Sequence, residues 1–355
     1  MSTIEISSAA PDSPLPRHRA PNPPRGRGPL HRPLLYMVVA MSALVVCSIG
    51  GVLFDDRVLL GESVWVKPLK FGFAFALYGL TLAWLLSLPH RGSRVTWWLG
   101  TVFAVTGFAD VGFIAVQAAR GTYSHFNNYD TDAVNVIGQK IFMSGVPGLF
   151  LANLAIVLII AWQRVADRPT TRAIQAGLAL AVLGMAQAYL MGFTGTQRVL
   201  DAQGNSVELI AGHTVLDDAT SAEAARDSAG LPVIGWSTLG GDLRIPHFLG
   251  LHGIQVLLLA VVVLARLAPR YPWLRAERTR AALIGILALG YTGLFALTFF
   301  QAMRAQSLVR PDVITLACFG AIVAGTGLLG YAVYRRAAVG SRAVGGPNAG
   351  ARRLA

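Results

Sequence analysis

Residues 241–255 read Gly241-Asp242-Leu243-Arg244-Ile245-Pro246-His247-Phe248-Leu249-Gly250-Leu251-His252-Gly253-Ile254-Gln255 and run straight into an apolar stretch at 256–267. An acid, a base, two histidines and a glutamine thus lead into a segment otherwise suited to crossing a bilayer. A charged side chain near the membrane centre costs roughly 3 kcal/mol or more. A helix that served only as an anchor would not carry these groups. The stretch therefore decides two things: the chain is membrane-spanning, and this helix start is a candidate site.

The rest of the chain fits that class. Of 355 residues, 54% are hydrophobic and 14% are charged, where a soluble domain has about 25% charged residues. Apolar runs occur at 34–53, 66–88, 96–119, 136–162, 172–193, 245–267, 281–302 and 312–334. Each approaches the roughly 20 residues that a spanning helix needs. The expected fold is an all-α polytopic transmembrane bundle of about eight helices.

The formal charge of +12 raises the question of nucleic acid. Its distribution argues against that partner. Arginines gather in the N-terminal tail, in alternate loops and after the last run, as membrane orientation requires. The intervening loops carry Asp55, Asp56 and Glu62, then Asp130 and Asp132, then acids between Asp201 and Asp242. The short loop with Arg304, Arg310 and Asp312 is the exception. This pattern places both termini on the cytoplasmic side of a bacterial cytoplasmic membrane. Residues 1–33 form an Arg/Pro-rich tail that should be disordered. The first apolar run starts too late for a cleavable leader. Residues 337–355 read as a second cytoplasmic tail. Cys47 and Cys318 lie in apolar runs and read as packing residues.

Between membrane segments 34–193 and 245–336 lies one long extracytoplasmic loop, 194–244. Arg198-Val199-Leu200-Asp201 and Ser206-Val207-Glu208-Leu209 flank Ala202-Gln203-Gly204-Asn205, which predicts a β-hairpin. Residues 217–229 are Ala-rich behind Asp217, which predicts a short capped helix. Together they make a small α/β subdomain, of the size that serves as a lid or docking surface.

Three pairs of segments four helices apart resemble each other. Lys67-Pro68-Leu69-Lys70-Phe71 matches Arg244-Ile245-Pro246-His247-Phe248. Gln117-Ala118-Ala119-Arg120 matches Gln301-Ala302-Met303-Arg304, and Arg57-Val58-Leu59 matches Arg198-Val199-Leu200. Four helices return the chain to its starting side, so a duplication would be parallel, in two sets of four. On the first match His247 stands where Lys70 stands. The two helix starts should then lie close together, with Asp110 and His252 beneath them.

The candidate binding residues follow from depth and side. All three lysines, Lys67, Lys70 and Lys140, fall at the outer side, in a chain whose other bases are arginines. Asp110 lies roughly 13 Å inside the third helix at 1.5 Å per residue. At that depth it must be protonated, paired or reached by water. Lys70, Lys140 and the helix-six histidines are its candidate partners. His247 and His252 project about 140° apart, so they do not chelate one ion by themselves. His252 and Gln255 share a face. His125 lies in the next outer loop. Arg120, Arg244, Gln301 and Arg304 complete the set at helix ends. Pro147, with Gly145 and Gly148, predicts a kink in the fourth helix.

Residues 65–71 and 247–255 resemble segments of bacterial integral membrane proteins without an assigned activity. The resemblance implies a multi-pass membrane fold and gives no residue a role.

The sequence thus points to a membrane protein that binds or translocates a small anionic solute or lipid headgroup in the outer half of the bundle. Lysines and arginines would attract the anion, and His247, His252 and Asp110 would tune the site or move protons. Beyond the lipid bilayer and that anion, the leading reading calls for no cofactor, no metal and no nucleic acid. One alternative is a haem- or metal-dependent oxidoreductase or hydrolase built on His125, His247 and His252. The other is a non-catalytic membrane partner protein acting through the long loop.

Overall fold

A computed structural model describes residues 28–128, 132–217 and 230–344. Eight helices are long and apolar enough to span a membrane. They are α1 (Arg32–Phe54), α2 (Val66–Ser87), α3 (Ser93–Ala119), α4 (Ala133–Ile160), α5 (Arg168–Ala188), α6 (Arg244–Leu267), α7 (Glu277–Met303) and α8 (Val313–Val344). A 3-10 turn, Tyr189–Phe193, carries α5 to its expected end. The all-α bundle expected from the sequence is therefore present.

Several helices start before their apolar runs because polar caps lie upstream. His31 Nδ1 accepts from the Leu34 amide at 3.2 Å, and Pro33 follows in the first turn. Asp132, Asp167 and Asp312 accept from the amides of Val134, Thr170 and Thr315. Such caps satisfy amides that the first turn leaves unpaired. The last helix overruns the expected end at Tyr334 and continues to Val344. Arg335 to Val339 contain no breaker, so good helix formers carry it on. Pro147 sits inside α4 without ending it.

Small β elements cap the end of the bundle where α1 meets α2 and α5 leads to α6. They are β1 (Val58–Leu59) with β2 (Glu62–Ser63), β3 (Gln197–Leu200) with β4 (Ser206–Leu209), and β5 (Thr214–Val215) with β6 (Gly241–Asp242). All pairs are antiparallel, and Val199 opposes Val207. The expected hairpin is present. The expected helix at 217–229 lies, after Asp217, outside the described residues. Tyr123, Val199, Val207 and Leu209 form a small buried core under this hairpin face, with Leu59, Leu60 and Phe126 against it.

Helix packing is close where side chains are small. The first helix packs on α2 and α3, α2 packs on α3, and α3 packs on α4. In the same way α5 packs on α6 and α7, α6 packs on α7, and α7 packs on α8. A Cβ on Gly250 would lie 2.6 Å from the Gly184 Cα and 2.8 Å from the Leu180 carbonyl oxygen. The α5–α6 backbones therefore touch. A Cβ on Gly72 would lie 3.1 Å from the Met41 carbonyl oxygen, so α1 and α2 approach in a similar way. Within a membrane such contact, rather than hydrophobic expulsion, holds helices together.

Two helix ends share one design. Gln117 Nε2 donates to the Tyr123 carbonyl at 3.2 Å, and Gln301 Nε2 donates to the Ser307 carbonyl at 2.8 Å. Each glutamine reaches six residues forward across a left-handed turn, at Gly121 (φ 72°) and at Ala305 (φ 55°). Each following arginine pairs with the aspartate that caps the next helix: Arg120 with Asp132 at 2.7 Å and Arg304 with Asp312 at 2.6 Å.

Replacing Gly250 by Leu should therefore part α5 from α6. We expect a loss of roughly 1–3 kcal/mol of stability from overpacking. Gly112→Ala, where nothing lies within 4 Å of the added Cβ, should leave the thermal midpoint in detergent unchanged or raised.

Candidate functional site

The starts of α2 and α6 open onto the hairpin face. Pro68 and Pro246 are buried in the first turns, where a missing N–H costs nothing. They set Lys67 and Lys70 on one helix start and Arg244 and His247 on the other.

Asp242 anchors the start of α6. Its side chain is 0% exposed. It accepts from the Ser237 amide at 2.8 Å and the Arg244 amide at 2.9 Å. It also takes the Arg244 guanidinium, through Nε at 2.9 Å and Nη2 at 2.6 Å. The next residue, Leu243, accepts from Gln187 Nε2 at 3.0 Å and donates its amide to the His213 carbonyl at 3.0 Å. A similar clamp closes α1. Asp55 binds the Arg57 guanidinium and accepts from Trp65 Nε1 at 2.7 Å. The bond to Arg57, with that to the Trp65 indole, holds the Asp55 carboxyl well below the usual carboxylate range.

A strap, residues 230–237, lies over both helix starts. Lys70 Nζ donates to the Ile234 carbonyl at 3.2 Å and to Glu62 Oε2 at 3.2 Å. Arg244 Nη2 donates to the neighbouring Gly235 carbonyl. The strap turns through Val233 at φ 68°, a conformation that a β-branched residue rarely takes. The Lys70 charge also feels Arg244 and Asp242. The starts of α2 and α6 thus meet, and Gln255 Nε2 joins the helices again lower down by donating to Thr81 Oγ1 of α2 at 3.1 Å.

Histidines continue the cluster. His125 packs between Phe142 and Phe71, at ring separations of 4.4 Å and 5.5 Å. Burial, with the positive charge of Lys67 and of His213 beside it, pushes its imidazole well below the usual histidine range. His213 also faces Phe126 at 5.9 Å and lies in the electrostatic reach of His247. His247 meets the Gly184 carbonyl through Nδ1 at 2.8 Å. His252 stacks on Phe248 and lies beside Gln255. Three buried atoms here have no hydrogen-bond partner among the described residues: Glu62 Oε1, His252 Nδ1 and Gln255 Oε1. Buried polar atoms are rarely left so without a bound molecule or a functional role.

The structure thus brings together Lys67, Lys70, His125, Arg244, His247, His252 and Gln255. It keeps the other candidates apart from them. Arg120 bonds Gln117 and Asp132, Gln301 bonds the Ser307 carbonyl, and Arg304 binds Asp312 while lying over the Phe300 ring. Lys140 is exposed on α4. Asp110 is buried deep in α3 against Gly145 of α4, with neither Lys70, Lys140 nor a histidine bonded to it. Sequence reasoning missed His213, Glu62 and the role of Asp242. His213 was findable as the one histidine of the long loop; Glu62 and Asp242 pair with bases only eight and two residues on, Lys70 and Arg244, but across turns whose geometry the sequence does not show. Among the described residues no three His, Cys, Asp or Glu side chains are placed to hold a metal ion.

Compared with known proteins, the chain matches no family model, no curated protein and no solved structure.

Two expectations follow. Asp242→Ala leaves the half-buried Arg244 without its carboxylate and should cost about 3 kcal/mol in unfolding experiments. The second concerns His125. Unfolded, it gains a proton near the ordinary histidine pKa; folded, it resists one. Its contribution is complete above about pH 6.5 and is lost as pH falls below that value. Wild type should therefore lose stability on acidification to about pH 5, by up to about 1.4 kcal/mol per pH unit for this proton. His125→Phe should show a shallower slope, and equal slopes would refute the assignment.

Proposed function

We propose that this is a multi-pass membrane protein that binds a small anion, free or as a lipid headgroup, where the starts of α2 and α6 meet. The observation that carries the reading is the pair of carbonyls on the strap. Lys70 and Arg244 already hold two adjacent oxygens, those of Ile234 and Gly235. An oxyanion offers the same two acceptors with more charge, and charge-assisted bonds are about twice as strong as neutral ones. The ligand displaces the strap and takes its place. Arg120 and Arg304, committed to Asp132 and Asp312, lie outside this site. The arginine distribution sets the hairpin face outward and both termini in the cytoplasm.

The fold reads best as a parallel duplication. The helix-packing partners of α1–α4 recur in α5–α8, the glutamine turns recur, and so do the glycine crossings. Gly72 meets Met41 and Val45 as Gly250 meets Leu180 and Gly184. That register aligns Pro68 with Pro246. On that register Leu69, rather than Lys70, would be the counterpart of His247, one residue from the match read in the sequence. One half supplies lysines at the mouth and the other supplies histidines.

Calorimetric titration of the full-length protein with glycerol phosphate, and flotation with vesicles containing a phosphatidylglycerol lipid, test the site and separate the two sources. We expect Lys70→Ala to weaken whichever ligand binds by at least about tenfold, or about 1.4 kcal/mol. Undiminished binding by that variant would sink the reading.

A further inference from the structure

Asp110 takes no part in the site above. Its side chain is buried, the residue being 3% exposed, and neither carboxyl oxygen has a hydrogen-bond partner among the described residues. A charged carboxylate in such a place lacks every compensation that burial demands. What covers it is the backbone of α4 at Gly145: a side chain there would collide with the carboxyl group. Two residues on, Pro147 removes the amide that would bond the Met143 carbonyl. The weakest turn of α4 thus lies directly on the acid.

Asp110 is also the middle member of a series of buried polar groups in the α2–α3–α4 core. Two turns toward the hairpin face, Gln117 bonds Asn135 at 3.1 Å, and Gln139 joins Asn135 at 3.2 Å. Two turns the other way along α4 from Gly145, Asn153 accepts from the Tyr78 hydroxyl at 2.9 Å, and its Nδ2 has no partner among the described residues. Seven residues along α3 separate Asp110 from Gln117, and eight along α4 separate Gly145 from Asn153, roughly 10–12 Å in each case. Around Asp110 itself the layers are apolar. Gly107 of α3 meets Phe75 of α2 and Met37 of α1, and Phe113 packs on Gly138 and Phe142 of α4. Of the lysines on the neighbouring helices, Lys70 is committed to Glu62 and Lys140 is exposed. Tyr78 is the other ionisable group of the series.

We propose that Asp110 is a proton-exchange site in the membrane interior. It holds a proton while α4 closes over it and releases the proton when α3 and α4 part at the Gly145–Pro147 turn. This stands apart from the anion site, whose residues it does not share.

Dicyclohexylcarbodiimide, an apolar reagent that adds a protonated carboxyl across one C=N bond, reads this directly. Addition gives an O-acylisourea that rearranges to a stable N-acylurea, with no atom lost. Full-length protein in lipid vesicles is treated from acidic to alkaline pH, and modified peptides are located by mass. We expect labelling at Asp110 that declines as pH rises and disappears in Asp110→Asn. Gly145→Ala, which crowds the closed turn, should change the rate of labelling without changing the position. No label at Asp110 in protein that elutes as a folded species would overturn the proposal. So would labelling at Asp110 independent of pH, since the proton would then never leave. Loss of anion binding in Lys70→Ala would leave either result unaffected.

Discussion

The hairpin face depends on one buried carboxylate. Asp242 is enclosed completely, yet every bond it makes is to a group that needs an acceptor: the Ser237 amide, the Arg244 amide and the Arg244 guanidinium. An ion pair is worth keeping under cover only when its geometry is complete. Because Asp242 lies in β6 and just before α6, it ties the long loop to the helix. Its strand partner Thr214 and the Leu243 bonds to Gln187 and His213 then hold the loop onto α5. Ser307 Oγ donates to the Ser237 carbonyl at 2.9 Å and brings the α7–α8 turn into the same assembly. Arg244, held in place from one side by Asp242, presents its other edge to the strap.

This arrangement explains what the sequence could and could not reveal. The membrane helices were legible because an apolar run needs only length and composition to declare itself. Their ends were less so: Asp167 and Asp132 cap turns that begin upstream of the apolar stretch, and α8 continues past its charged pair into the expected tail. The site was half legible. Lys70, Arg244, His247 and His252 stood out because polar groups at an apolar helix start are costly. Arg120 and Arg304 stood out for the same reason, but their aspartate partners lie 12 and 8 residues further on, across turns whose geometry the sequence does not show. His213 and Glu62 join the cluster only through the fold.

The starts of α2 and α6 also show how two adjacent helix starts can carry unlike chemistry. The close approach of α1 to α2 and of α5 to α6 is set by Gly72 and Gly250, which carry no side chain into the mouth. Lys67 and Lys70 occupy one rim, and His247 with His252 the other. The rim is therefore not symmetric in charge.

Depth separates the remaining polar groups by what surrounds them. At the hairpin face Lys70, Arg244 and Arg57 have carboxylates or carbonyls within hydrogen-bond distance. Asp110 has an apolar layer on α1 and α2 and a glycine backbone on α4. The same residue type therefore does opposite work at the two depths. Asp242 has every bond satisfied by its partners, whereas Asp110 has none, which on the proposal above leaves helix movement at Gly145 to decide when the proton is held.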